Sequence, residues 1–315
     1  MVYSEWLNQW LKTKQVKAKN STISSYSLLI STHIVPILGD MEIEDIDDGS
    51  LQDAIDIWVS EGNRKTGGEL SEKSVAEILR VTKSSIKAYC KKYRIPVPLF
   101  DELEVPKVGS RSHEVFTPDE QSIILKAILK NISERTAGIA LGLLSGMRIG
   151  EICALQWDSV DMKENLITVE ATLQRIYEPD EDSSRKSRIL IDTPKTENSR
   201  RKIPMTTTMK NILTAIQPED CEGLYVLSGK AKPLEAKSLR DFYYRFLDQQ
   251  GLRKLTFHTL RHTFGTKCIT CNIDPATLCK IMGHANPTIT INLYCHPQID
   301  DMRKAMEVLD EKWLK

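Results

Sequence analysis

The sequence predicts a mainly α-helical protein of two domains, with a small antiparallel β-sheet on one side of the second. Three observations carry this. Apolar residues recur at helical spacing through most of the chain. A stretch rich in proline, with no helical pattern, breaks that spacing shortly before residue 108. Strand-like runs are confined to one region, between about residues 166 and 204. A chain of 315 residues suits two cores better than one, and 41% hydrophobic residues can fill both.

In order, Trp6, Leu7, Trp10 and Leu11 share one helical face. Ser21 and Thr22 can cap a second helix with a stripe of Ile23, Tyr26, Leu29 and Ile30. It is expected to stop near His33-Ile34-Val35-Pro36. A third helix is expected from Ser50 to about Ser60, then a polar, Gly-rich loop from Glu61 to Leu70. A fourth begins near Ser71. Between Arg80 and Arg94 it carries six basic residues and no acidic one. Arg80, Lys83, Lys87, Lys91 and Arg94 fall on one face. Such a run is commonly a solvated face; a single-sign stripe also suits a phosphate backbone.

Residues 108–116 are assigned as a linker, after the extended Ile95–Pro98 and Val105–Lys107 segments. The first domain is then 1–107, the second 117–300, and a last helix covers 301–315. Thr117-Pro118-Asp119-Glu120 reads as N-cap, first helical residue and capping box. An apolar helix from Glu134 to Ser145 follows, ending in Gly146-Met147-Arg148-Ile149-Gly150-Glu151. Leu166–Val169, Arg188–Ile191 and Lys202–Pro204 read as strands. The chain from about Lys237 reads as helix again.

Lys and Arg balance Asp and Glu at 43 each, so bulk charge points to no particular partner. The N-terminus has no secretory pattern and no run of 18 apolar residues occurs, so no membrane association is expected. Seven scattered cysteines fit a reducing cytoplasm. Cys268 and Cys271 form a lone CxxC without the second pair that a zinc site requires.

Five features of the second part stand out: Arg148 with Glu151 one turn on, Lys195 in a polar turn, His258-x-x-Arg261, His284 after a glycine, and Tyr294. Each alone has an ordinary structural explanation. Together and in this order they resemble the tyrosine recombinase (phage integrase) family, whose pattern is Arg, Lys, His-x-x-Arg, His, Tyr. The surrounding segments LLSGMRIGEICALQW, TLRHTFGT and IMGHANPTITINLYCH resemble the family as well. Met282 stands where the family more often has leucine. The likeness covers about 117–300; STISSYSLLISTHIVPILGD resembles, more weakly, the family's core-binding domain. Integrases with a further arm-binding domain carry it before such a segment.

The resemblance implies a site-specific recombinase that cuts and rejoins double-stranded DNA through a 3′-phosphotyrosyl link and a Holliday junction, to integrate or excise a bacterial mobile element. Tyr294 would be the nucleophile. Its free pKa of about 10 requires help, with His258 taking the proton. Arg148 and Arg261 would clamp the phosphate, His284 would donate a hydrogen bond to it, and Glu151 would orient Arg148. Lys195 would protonate the departing 5′-oxygen, an aid typically worth about 10²–10⁴-fold. The link conserves bond energy, so no ATP, metal or other cofactor is implied, consistent with the lack of a GxxxxGK[ST] loop. Implied partners are core-type DNA sites contacted by the Arg80–Arg94 stripe, three further copies in a homo-tetramer linked by the last helix, and accessory excision or bending proteins. The expected location is the bacterial cytoplasm, at the nucleoid. The alternatives are a type IB topoisomerase-like enzyme that relaxes supercoils, or a DNA-binding regulator with idle catalytic residues.

Overall fold

The helices follow the apolar periodicity, but the second begins at Asn20 behind Lys19 with no side-chain cap, not behind the expected Ser21 or Thr22. A computed structural model describes residues 1–63, 66–107, 109, 114–177, 187–192, 200–284, 286–294 and 299–313. It separates into two compact units, Met1–Arg111 with Arg175–Leu190, and Ser112–Gln174 with Ile191–Lys315.

The first unit contains α1 (Tyr3–Gln15), α2 (Asn20–Leu29), α3 (Val35–Leu38), α4 (Asp48–Glu61) and α5 (Glu72–Tyr93). Asp47 caps α4 in a capping box with Ser50, and the Ser71 hydroxyl accepts from the Ser74 amide at the start of α5. Trp6, Trp10, Trp58 and Tyr3 fill the core with Leu7, Ile34 and Ile78. Tyr3, Trp6 and Trp58 hydrogen-bond through their polar ends, whereas the buried Trp10 Nε1 has no hydrogen-bond partner. Trp6 Nε1 donates to the Ser85 carbonyl at 2.9 Å, Trp58 Nε1 to the His33 carbonyl at 3.0 Å, and Tyr3 Oη lies 2.6 Å from Ser85 Oγ.

The second helix does not stop at Pro36 as the sequence predicts. It passes through a π turn, Ile30–Ile34, and continues as α3. Pro36 has no N–H, so a regular i→i−4 ladder cannot run through it, and widening the turn accommodates the lost donor. The combined run Asn20–Leu38 has a mean hydropathy of 1.2 and sufficient length to cross a membrane. Core helices meet the same criterion, and here Ile30, Ile34 and Leu38 are buried in the aromatic core.

The second unit is built around α7 (Glu134–Ser145), buried on all sides from Thr136 to Leu143. Its small residues admit close neighbours: a Cβ on Gly142 would lie 3.1 Å from Leu260 Cδ1 of α11 (Phe257–Thr270). α6 (Pro118–Lys130), α8 (Ile149–Ala154), α9 (Thr207–Ile216) and α10 (Ala236–Gln249) also pack against α7, α12 (Pro275–Met282) and α13 (Pro287–Tyr294) pack on α11, and α14 (Ile299–Trp313) follows them in the chain. The predicted single sheet is two. Among the described residues, β1 (Val160–Asp161), β2 (Leu166–Val169) and β5 (Arg201–Pro204) form one in this unit, in the order β1-β2-β5; β3 (Thr172–Tyr177) and β4 (Ser187–Asp192) form the other, of which Arg175–Leu190 groups with the first unit. β2 and β5 pair antiparallel with Ile167 opposite Ile203 and Val169 opposite Arg201. Strand alternation buries Arg201 and Ile203 and exposes Lys202 and Pro204.

The start of this unit is held by charge. Thr117 and Glu120 form the expected capping box, with Pro118 in the first turn. Arg253 donates to both Glu120 carboxylate oxygens at 2.8 Å and to the Val115 carbonyl at 3.1 Å. The Arg253 bond holds the Glu120 carboxyl down at about 2. A folded-state pKa below the ordinary 4.5 makes the pair stabilising above that value and progressively less so as pH falls towards about 2. Glu120→Gln retains the capping box while removing the charge. The variant is therefore expected to be less stable than the parent at pH 7, and the gap to close as urea melts are repeated down to pH 2.

Candidate active site

Arg148 is the N-cap of α8, where the chain turns after α7. Its backbone N–H donates to Glu151 Oε2 at 2.9 Å and its Nη1 to Glu151 Oε1 at 2.8 Å. Glu151 is buried and has a second cation that the motif does not reveal. Arg201, from β5, donates through Nη1 to Oε1 at 3.2 Å and through Nη2 to Oε2 at 2.9 Å. Burial works against the Glu151 charge more than any single favourable contact works for it. The Arg201 bonds, with the charges of Arg201 and Arg148, together outweigh burial and hold the carboxyl below its usual range.

The two motif arginines converge on one turn. Arg261 Nη2 donates to the Met282 carbonyl at 2.8 Å, and Arg148 Nη2 to the Gly283 carbonyl at 3.4 Å. Arg201 Nε reaches the Ile281 carbonyl at 2.6 Å. Three guanidiniums thus hold three successive carbonyls just before His284. Gly283 ends α12 with φ of 65°, a left-handed conformation that glycine adopts at no steric cost. Arg261 also donates to the Gly146 carbonyl, tying α11 to the end of α7. Burial, then the neighbouring Arg148 charge, pull Arg261 down to about 9, which leaves it charged at neutral pH.

His284 lies 2.8 Å, through Nδ1, from the hydroxyl of buried Thr290. Burial and then Arg261 and Arg148 push its pKa down to about 4, so the ring is neutral at pH 7. In the tautomer in which the Thr290 hydroxyl donates to Nδ1, the ring proton is on Nε2 and that N–H is able to donate onward. Tyr294 ends α13 and is also buried. Its ring lies nearly parallel to that of His284, 10° apart with centroids 6.4 Å apart. A Cβ on Gly265 would fall 2.5 Å from Tyr294 Cζ, so the bare backbone of α11 makes room for the phenol.

The residues predicted from the sequence are thus partly brought together. Arg148, Glu151, Arg261, His284 and Tyr294 converge. His258 is exposed, and the histidine within hydrogen-bond distance of Tyr294 among the described residues is His262, with Nδ1 3.1 Å from Oη. His258 packs edge-on against His262, ring centroids 4.7 Å apart. The structure therefore places His262, rather than the expected His258, beside the phenol. Lys195 lies outside the described residues, between β4 and β5. Cys268 is buried, Cys271 exposed, and both are free thiols.

In the first unit the basic stripe on α5 is less uniform than its sequence implies. Arg80 pairs with Glu77 one turn earlier and lies over the Tyr26 ring. Lys83 donates to the Phe100 carbonyl at 3.3 Å. Lys87, Lys91 and Arg94 are exposed. A window opening at Arg80 omits Glu77, which is why the stripe reads as a single sign.

The phage integrase family profile matches residues 114–300, and the N-terminal SAM-like domain of phage integrases matches residues 2–59. The chain belongs to the phage integrase family, the tyrosine recombinases. A tyrosine recombinase XerC-like protein of Caldanaerobacter subterraneus subsp. tengcongensis is 26% identical over 216 residues, covering 64% of this chain and 55% of that protein. The transposase from transposon Tn916 of Enterococcus faecalis is 26% identical over 236 residues, covering 68% of this chain and 54% of its own. The chain spans about half the length of these curated relatives. The Tn1549 transposon integrase, solved in complex with a circular intermediate DNA, superposes with a TM-score of 0.78 at 22% identity, over 98% of this chain and 99% of that one. This likeness establishes the fold.

Arg201 is the site residue that the family pattern omits. Arg201→Met removes its bonds to Glu151 and leaves that carboxylate with Arg148. The expected cost is near the lower end of about 3–5 kcal/mol in urea unfolding. Adding Glu151→Gln should recover part of it, because the under-compensated charge is then gone.

Proposed function

We propose that this chain is a site-specific DNA strand transferase that opens double-stranded DNA through a covalent 3′-phosphotyrosyl link at Tyr294 and reseals it. The observation that carries this reading is the convergence of Arg148, Arg261 and His284 on the turn against which Tyr294 packs. A phosphodiester resists attack because its oxygens are negative, and more charge builds on them in the transition state. Two fixed guanidiniums and a neutral imidazole N–H are suited to that charge. Glu151 and Arg201 keep Arg148 in place, so little rearrangement is required as the charge develops. Lys195 is assigned the protonation of the departing 5′-oxygen.

Lys87, Lys91 and Arg94, with Arg80 and Lys83 in secondary roles, are assigned to the DNA backbone at core-type sites. The outward face of α14 supports assembly into a homo-tetramer through a Holliday junction. Met302, Met306, Leu309 and Trp313 lie on one helical face and are all exposed. The named relatives, a transposase and a transposon integrase among them, support integration or excision of a mobile element, with accessory excision or bending proteins as further partners. Such a reaction occurs where the DNA is, in the bacterial cytoplasm at the nucleoid.

The test is a denaturing gel of the protein with a library of nicked duplexes, in which a short fragment leaves and the covalent species accumulates. A protein-linked DNA band is expected from the parent and none from Tyr294→Phe. Bound DNA without any band from the parent would favour the regulator. Relaxation of a supercoiled plasmid lacking any captured site would favour the topoisomerase.

A further inference from the structure

The contact between His262 and Tyr294 leads one step beyond the motif. Tyr294 sits among Cys268, Leu278 and Met282, with Phe264 and Leu293 packed around them. Burial pushes its phenol up to about 12, against the pull of Arg261 and Arg148. At pH 7 only about one molecule in 10⁵ then carries a phenolate. The reaction therefore needs a group that takes the proton as the oxygen attacks.

Among the described residues, the candidates around the phenol are few. His284 engages Thr290 through Nδ1 and is poised to donate rather than accept. His258 is one ring removed, edge-on to His262. His262 Nδ1 is 3.1 Å from Oη, within range for proton transfer. The helix fixes this geometry. His262 and Gly265 lie one turn apart on α11, so the residue that touches the hydroxyl and the residue that admits the ring share a face.

We propose that His262 is the proton acceptor for Tyr294, an assignment that rests on the strand-transfer reading above. With the ring neutral and its proton on Nε2, Nδ1 accepts the hydrogen bond from the phenol. As Oη forms its bond to phosphorus, the phenolic proton moves to Nδ1. The bond from phosphorus to the 5′-oxygen breaks, and that oxygen leaves with a proton from a separate acid. In religation the 5′-hydroxyl attacks as its proton passes back to the separate, now deprotonated, acid; the Oη–phosphorus bond breaks, and His262 returns its proton to the leaving phenolate oxygen.

The experiment measures single-turnover cleavage of a nicked duplex with either oxygen or sulfur at the scissile 5′ position. A thiolate departs without an acid, so sulfur rescues a defect on the leaving-group side and leaves one on the nucleophile side. His262→Ala is expected to slow cleavage about 10²–10³-fold on both substrates, with DNA binding and thermal midpoint unchanged. His262→Gln can anchor the phenol but cannot take its proton, and is expected to be as slow. Cleavage by His262→Ala at the parental rate would overturn the assignment. So would rescue by sulfur, which would move His262 to the leaving group, or recovery in His262→Gln, which would make it an anchor only. Failure of the parent to cleave either substrate would instead overturn the strand-transfer reading itself.

Discussion

Everything in the second unit depends on burying more positive than negative charge around one carboxylate. Arg148, Arg201 and Arg261 come from three different elements, and Glu151 is the acid they surround. Desolvating a guanidinium is costly, and nearby like charges add to that cost. Glu151 offsets part of it for Arg148 and Arg201. Backbone carbonyls at positions 146, 281, 282 and 283 supply much of the rest. Burial, and then the Arg148 charge, lower the Arg261 pKa. Such an excess of fixed positive charge suits the phosphodiester of the proposed reaction.

The same arrangement fixes His284 and Tyr294. The guanidiniums hold the carbonyls of the turn from Ile281 to Gly283, and that turn sets the position of His284. His284 and Thr290 then bind α13 to the turn, and α13 ends in Tyr294. On the far side Gly265 lets the phenol approach α11 closely enough to meet His262. Tyr294, the two arginines with His284, and His262 are thus positioned by a single packed turn and by α11, which itself packs on the apolar α7.

Much of this is legible in the sequence because it depends on local chemistry. Ser71 and Thr117 announce helix starts through their own side chains, and TAGIALGLL reads as an apolar helix; the third helix, expected from Ser50, begins two residues earlier behind its Asp47 cap. Arg148, Arg261, His284 and Tyr294 are evident from their order and context. What is not legible depends on register and three-dimensional neighbours. The strand pattern becomes visible at Lys202, yet alternation from Ile203 places Arg201 on the same inward face. His258 and His262 are one turn apart on one helix, and only the path of α13 decides which meets the phenol. The helix persists past Pro36 because core packing by Ile34 and Leu38 outweighs one lost hydrogen bond. Glu77 pairs with Arg80 through a turn of helix that a charge count starting at Arg80 leaves out.

The most direct measurement is a crystal structure of the Tyr294→Phe protein with a nicked duplex carrying its captured site. The account predicts one phosphate whose non-bridging oxygens accept hydrogen bonds from both Arg148 and Arg261 and from His284 Nε2, with Glu151 and Arg201 unmoved behind them. A bound duplex with no phosphate at this cluster, or with the Glu151 bonds to Arg148 and Arg201 broken to admit one, would contradict it.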